Sequence, residues 1–157
     1  MFIIENNRYG MGTALDRASS VKDLYQRGSA YGIPRRDVNG MDLIAFRNVL
    51  SEAIDLARKD KRPTLIEAET YRYRGHSMSD PAKYRTREEV EKVRNEHDPI
   101  EQVRSRILSN KWATEDEIKK IDAKVRDIVN EAAEFATNDP EPDPSELYTD
   151  IYAEPAH

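Results

Sequence analysis

The chain has 157 residues, 38% of them hydrophobic and 35% charged, with a formal net charge of −5 at pH 7. That length allows one domain with a modest core and hardly a second. No apolar run approaches the roughly 18 residues of a membrane helix. The opening MFIIENNRYG has no secretory leader pattern, and zero cysteines exclude disulfides, thiolate metal sites and a cysteine nucleophile. The expectation is a cytoplasmic protein without membrane association.

Charge is unevenly spread. From Glu131 onward there are eight acidic residues and no Lys or Arg, so residues 1–130 hold 22 acids against 25 bases. Within that body, Arg72 to Arg94 carries seven basic and four acidic residues, and a local basic loop facing an anion is compatible with the acidic average.

In chain order, Phe2-Ile3-Ile4 is a short apolar run ending in polar ENNRYGMGT, the pattern of a buried parallel strand feeding a loop. Residues 10–40 hold five of the six glycines and read mainly as loop, with a short helix around Val21 to Gln26. Asp42 caps a helix reaching about Lys59, whose Leu43, Phe46, Leu50, Ile54 and Ala57 form one apolar face. Pro63 breaks it, and Thr64 to Ala68 makes a second buried strand. Strand, loop, helix, strand is the unit of parallel α/β sheets, where ligands collect at the carboxyl ends of strands. Both strands end in polar loops, the second being Tyr71 to Arg87.

The rest is helical. Thr86-x-x-Glu89, Asp98-x-x-Glu101 and Thr114-x-x-Glu117 have capping-box spacing, and Pro99 suits a first helical turn. Ile118, Ile121, Val125, Ile128, Ala132 and Phe135 form an apolar stripe, read as packing on the chain's own sheet in preference to a coiled coil. Residues 1–136 are taken as the folded body and 137–157 as an acidic, Pro-rich, extended tail.

Two stretches could carry chemistry. In Asn6-Asn7-Arg8-Tyr9, an amide oxygen and a following carbonyl could ligate a hard cation, or the amides could close Asx-turns. Tyr71 to Pro81 concentrates Arg, His76 and the hydroxyls of Ser77 and Ser79 around Gly75, chemistry suited to a phosphate ester or diphosphate. Its alternating Tyr and Arg could instead stack on bases, but no other basic-aromatic surface accompanies them. His97 and His157 read as surface residues. There is no Walker loop, GxGxxG or HExxH, and adjacent His76 and Ser77 do not make a triad.

ENNRYGMGT and ETYRYRGHSMSDPAKYRTREEVEKVR closely resemble the alpha subunits of thiamine-diphosphate-dependent pyruvate dehydrogenases, the decarboxylating components of their complexes. The likeness runs from Phe2 to about Ile100 and continues more loosely beyond. It implies a thiamine-diphosphate-binding α/β fold, present as a partial parallel sheet followed by C-terminal helices and an extended tail. It also implies a magnesium ion held by Asn7 and the carbonyl of Tyr9, with His76 as diphosphate contact and active-site group. Ser77 matches a phosphorylation site of eukaryotic relatives. A second regulatory serine has no counterpart, which favours a bacterial enzyme without kinase control. Implied partners are a beta subunit, a lipoyl-bearing acyltransferase and pyruvate, with no nucleic acid. Branched-chain 2-oxo acid and acetoin dehydrogenase alpha subunits share these features, and a non-catalytic assembly module is the alternative of another class. The Gly-Asp-Gly that opens the family's metal signature is absent. The chain therefore reads as the C-terminal portion of such a subunit, expected to bind cofactor very weakly and to lack turnover alone.

Overall fold

The computed structural model describes residues 1–149, and His157 with the end of the acidic tail lies outside them. The chain forms two compact units, Met1–Asn110 and Lys111–His157. The first holds a parallel sheet of three strands, in the order β1 (Phe2–Asn6), β5 (Leu65–Glu69), β4 (Arg35–Asn39). Between β1 and β4 come a minimal antiparallel pair, β2 (Tyr9–Gly10) and β3 (Thr13–Ala14), the short α1 (Leu15–Ala18) and a 3₁₀ helix (Leu24–Tyr31). Strand β4 then leads through α2 (Leu43–Asp60) into β5, a β-α-β unit.

The expected parallel α/β fold is therefore present. Several elements differ from the sequence reading, beginning with β1, read as buried, whose Phe2 and Ile3 are exposed because no further strand or helix covers them among the described residues. The glycine-rich stretch 10–40 predicts loop for residues 35–39; as Arg-Arg-Asp-Val-Asn they have one apolar side chain and no alternation, yet they form an edge strand. Pairing along β5 supplies its order, and its side chains mostly face solvent. The short helix around Val21 to Gln26 is a 3₁₀ helix shifted toward Tyr31.

Helix α2 starts where Asp42 accepts hydrogen bonds from the backbone N–H groups of Ile44 and Ala45, both at 3.0 Å. Its Ala53 joins Ile66 and Ala68 of β5 as the buried apolar core. On the other face of the sheet, Leu65 and Glu67 point toward the 3₁₀ helix: Gly28 sits against Leu65, and Tyr25 N–H reaches Glu67. An apolar hollow of about 410 Å³ remains there, lined by Phe2, Ile4, Gly28, Tyr31, Ile33 and Leu65.

Two helices complete this unit, α3 (Arg87–His97) and α4 (Pro99–Ser109). Thr86 and Asp98 cap them through the side chains that the capping spacing identifies, with Pro99 in the first turn of α4. The second unit contains α5 (Glu115–Asn138), opened by the full capping box of Thr114 and Glu117, and a 3₁₀ turn at Pro144–Tyr148. The apolar stripe of α5 is solvent-exposed at Ile121, Val125, Ile128 and Phe135. No helix among the described residues is long and apolar enough to cross a membrane.

Candidate functional site

At the carboxyl end of β1 the chain turns sharply, and the two asparagines make the turn. Asn6 Oδ1 accepts from Arg8 N–H at 2.9 Å, and Asn7 Oδ1 accepts from Tyr9 N–H at 3.2 Å. These are successive Asx-turns. Arg8 between them has φ of 69°, left-handed backbone that a non-glycine residue adopts only when its surroundings enforce it. They do so at both ends of the residue: Arg8 C=O accepts from Leu15 N–H at 2.9 Å, and its guanidinium pairs with Glu69.

The polar loop after β5 is fastened to this turn by Arg85. Its side chain is only 4% exposed. One Nη donates to the Asn7 carbonyl at 2.7 Å and the other to the Arg72 carbonyl. The guanidinium also lies over two rings, 4.7 Å from the centroid of Tyr9 and 4.0 Å from that of Tyr71. Its Nε stands 3.9 Å from Glu89 Oε1, an ion pair too long for a hydrogen bond. That carboxylate oxygen instead accepts from Tyr71 O–H at 2.8 Å, and burial followed by this bond pushes the Tyr71 hydroxyl pKa up to about 12. Tyr84 adds a ring contact to Tyr9 at 4.6 Å, and Arg72 donates to the carbonyls of Tyr9 and Met11, each at 3.4 Å.

The two tyrosines that suggested base stacking are thus engaged within the protein, Tyr71 under Arg85 and Tyr73 under Arg94. A cleft of about 370 Å³ opens beside the loop, with Arg72, Arg74, Lys83, Arg87 and Arg94 on its walls.

The turn around His76 is organised by Asp80. Its carboxylate accepts from His76 N–H at 2.7 Å, Ala82 N–H at 2.9 Å and Tyr84 O–H at 2.9 Å. The two backbone donors, with Tyr84 and the charge of Arg72, hold the Asp80 carboxyl below the ordinary aspartate range. Gly75 is required here, because a Cβ would lie 2.5 Å from the Asp80 carbonyl oxygen. His76 and Ser77 are exposed, and Ser77 Oγ is 3.0 Å from Ser79 Oγ.

Asn7 and Tyr9 are therefore brought together with Arg72, Tyr84 and Arg85. His76 belongs to the same loop, but no hydrogen bond joins it to Asn7 or Tyr9 among the described residues. Asn7 Oδ1 keeps a free lone pair after its turn bond, and the Tyr9 carbonyl meets Arg72 only at long range. Two neutral oxygens of this kind fit a hard divalent cation, which takes about six such ligands. They leave most of the shell to a phosphate, water or other groups. No cluster of three His, Cys, Asp or Glu side chains converges among the described residues.

Residues 1–145 match the family described as the dehydrogenase E1 component. The chain belongs to that family. It is 58% identical over 151 residues to the pyruvate dehydrogenase E1 component subunit alpha of Rhizobium meliloti, covering 96% of this chain and 43% of that protein. The subunit of the same name from Rickettsia felis is 47% identical over 152 residues, 97% of this chain and 46% of its own length. The human testis-specific mitochondrial form is 48% identical over 154 residues, 98% of this chain and 39% of its own. The chain thus spans less than half the length of these relatives.

Arg85 is a site residue to which the sequence alone assigns no role, as are Asp80 and Tyr84. Nothing local separates Arg85 from Arg72, Arg74 or Arg87; only the fold shows that it joins the loops.

Proposed function

We propose that this chain is the part of a pyruvate dehydrogenase alpha subunit that carries one side of a magnesium–thiamine-diphosphate site. The reading is supported chiefly by the 58% identity with a protein of that name across 96% of this chain. The placement of the Asn7 turn and the His76 loop at the carboxyl ends of adjacent parallel strands agrees with it.

In this reading Asn7 Oδ1 and the Tyr9 carbonyl are metal ligands. Arg72, the nearest cation to the Tyr9 carbonyl, yields that oxygen to the metal and is available to a phosphate oxygen. His76, exposed on a turn anchored by its own backbone N–H, is free to donate an imidazole N–H to the diphosphate and to act at the active site. Thiamine diphosphate, when bound, supplies the electron sink that lets a 2-oxo acid lose carbon dioxide. The substrate is pyruvate, the acetyl group passes to a lipoyl-bearing acyltransferase, and a beta subunit completes the site. The setting is cytoplasmic.

The test uses the alpha subunit containing this sequence, assembled with its beta partner. Asn7→Ala is expected to weaken magnesium–thiamine-diphosphate binding in calorimetric titration, and His76→Ala to lower turnover of pyruvate. Near wild-type behaviour of both variants refutes the assignments, and faster turnover of a branched-chain 2-oxo acid refutes pyruvate. Micromolar affinity of the isolated chain would overturn the expectation that it binds cofactor very weakly alone.

A further inference from the structure

Glu67 is a carboxylate in the middle of β5, and it is only 3% exposed. Burial of such a group is costly unless its oxygens are matched by donors. Both are matched. Oε1 accepts from Asn6 Nδ2 at 2.6 Å, and Oε2 accepts from Tyr25 N–H at 2.7 Å. The first bond fixes which way the Asn6 amide faces, because with Nδ2 committed to Glu67 only Oδ1 can point at Arg8 N–H. The bond from Arg8 N–H, at 2.9 Å, holds the left-handed turn at Arg8. The turn in turn sets the direction of the Asn7 side chain and the Tyr9 carbonyl that follow it. The second oxygen of Glu67 serves as N-terminal cap for the 3₁₀ helix, whose own flanking Asp23 makes no capping bond with its side chain.

We infer that Glu67 is a positioning residue for the Asn7–Tyr9 turn, acting through Asn6. Its hydrogen bonds go to Asn6 and Tyr25 and to neither proposed ligand, and it lies on β5, away from the turn that carries them. The inference deepens the proposed metal site and rests on that reading for its functional consequence. Its structural half, the dependence of the Arg8 turn on Glu67, stands by itself.

The polarity of the chain of bonds gives a specific test. In Glu67→Gln the new NH₂ group must face either Asn6 Nδ2 or Tyr25 N–H, donor against donor. In Asn6→Asp two carboxylates face each other. In the double variant the polarity is reversed but matched. The introduced amide NH₂ on β5 donates to the introduced carboxylate on β1, and that carboxylate also accepts from Arg8 N–H. The remaining oxygen of the new amide accepts from Tyr25 N–H.

Two readouts are taken on the assembled subunit: hydrogen exchange at the Arg8 and Tyr9 amides, and the dissociation constant for magnesium with thiamine diphosphate. Each single variant is expected to exchange about tenfold faster or more, and to raise the dissociation constant by about the same factor, as for loss of a charge-assisted buried bond. The double variant is expected to return toward wild type in both. Exchange unchanged in Glu67→Gln, or a double variant as impaired as the sum of the singles, overturns the inference. Equal damage to exchange throughout the sheet, without rescue, also overturns it, since that marks a merely structural carboxylate. Exchange rescued while cofactor affinity never moves in any variant overturns the link to the site. A wild-type subunit that binds no thiamine diphosphate instead refutes the proposed function, and the exchange data still decide the turn.

Discussion

Replacing Arg85 should separate the two loops that carry the candidate site. The guanidinium is almost fully buried and donates to the Asn7 and Arg72 carbonyls while lying over Tyr9 and Tyr71. A hydrogen bond from a charged donor contributes about 1.5–3 kcal/mol, and a partly exposed cation–π contact about 0.5–1 kcal/mol. These terms are not additive, and the freed carbonyls regain water, because both loops are only half-buried. The net loss in Arg85→Ala is therefore about 2–4 kcal/mol, read as local opening and not global unfolding. Hydrogen exchange at Tyr9 N–H, which bonds Asn7 Oδ1, should accelerate by roughly 30-fold to 1000-fold. Exchange at Ile66, in the buried centre of β5, should change far less. Arg85→Lys keeps the charge but not the fork, reaches one carbonyl at a time, and should fall between. If Arg85→Ala alters Tyr9 exchange less than about twofold, or alters Ile66 equally, the clamp reasoning is wrong.

Gly75→Ala should break the turn around His76, since its Cβ would meet the Asp80 carbonyl; large shifts of the His76 and Ala82 amide resonances with an unchanged sheet would show it, and unmoved resonances would count against the turn geometry. The same turn has a defined pH dependence. Its carboxylate is held below the ordinary value of 3.8, so the stabilisation is present above that value and is lost as pH falls through the lower folded value. An amide titration at His76 with a midpoint at or above 3.8 would contradict this sign. Asp42→Ala removes the acceptor for two N–H groups at the start of α2 and should cost about 1 kcal/mol in urea unfolding, with Asp42→Asn recovering most of it.

What the sequence made legible follows from the range of the interactions. The helix starts at Asp42, Thr86, Asp98 and Thr114 are encoded within three or four residues, and they stand where the spacing places them. Strands β1 and β5 are legible from their apolar runs. Strand β4 is not, because its order comes from 30 residues away: Arg35 pairs with Leu65, and none of its side chains records that. The stripe of α5 is a real amphipathic pattern, but periodicity says only that a face exists, not what covers it. At the site, the loop motifs announce the candidate ligands, while the residues that aim them are silent. Arg85 is 78 residues from the Asn7 carbonyl it binds, and Glu67 is 61 from Asn6.

That separation bears on how rigid the candidate site can be. Strand β1, which delivers Asn7 and Tyr9, pairs with β5 alone among the described residues, and Phe2 and Ile3 are 59% and 50% exposed along it. An edge strand with so little apolar cover has a low free energy of local opening, and the turn at its end inherits that mobility unless something beyond the strand holds it. The holding groups are polar contacts from elsewhere in the chain, among them Glu67 through Asn6 from beneath, Arg85 through the Asn7 carbonyl from the side, and Glu69 and Leu15 N–H on Arg8. Glu67 and Arg85 are buried side chains, and their bonds to Asn6 and Asn7 act beside the Leu15 N–H and Glu69 contacts that hold the left-handed Arg8 itself. Site order and sheet order are thus set by different interactions in this unit. Covering the apolar face along β1 would raise the stability of the strand, but it would leave the aim of Asn7 and Tyr9 to these polar contacts.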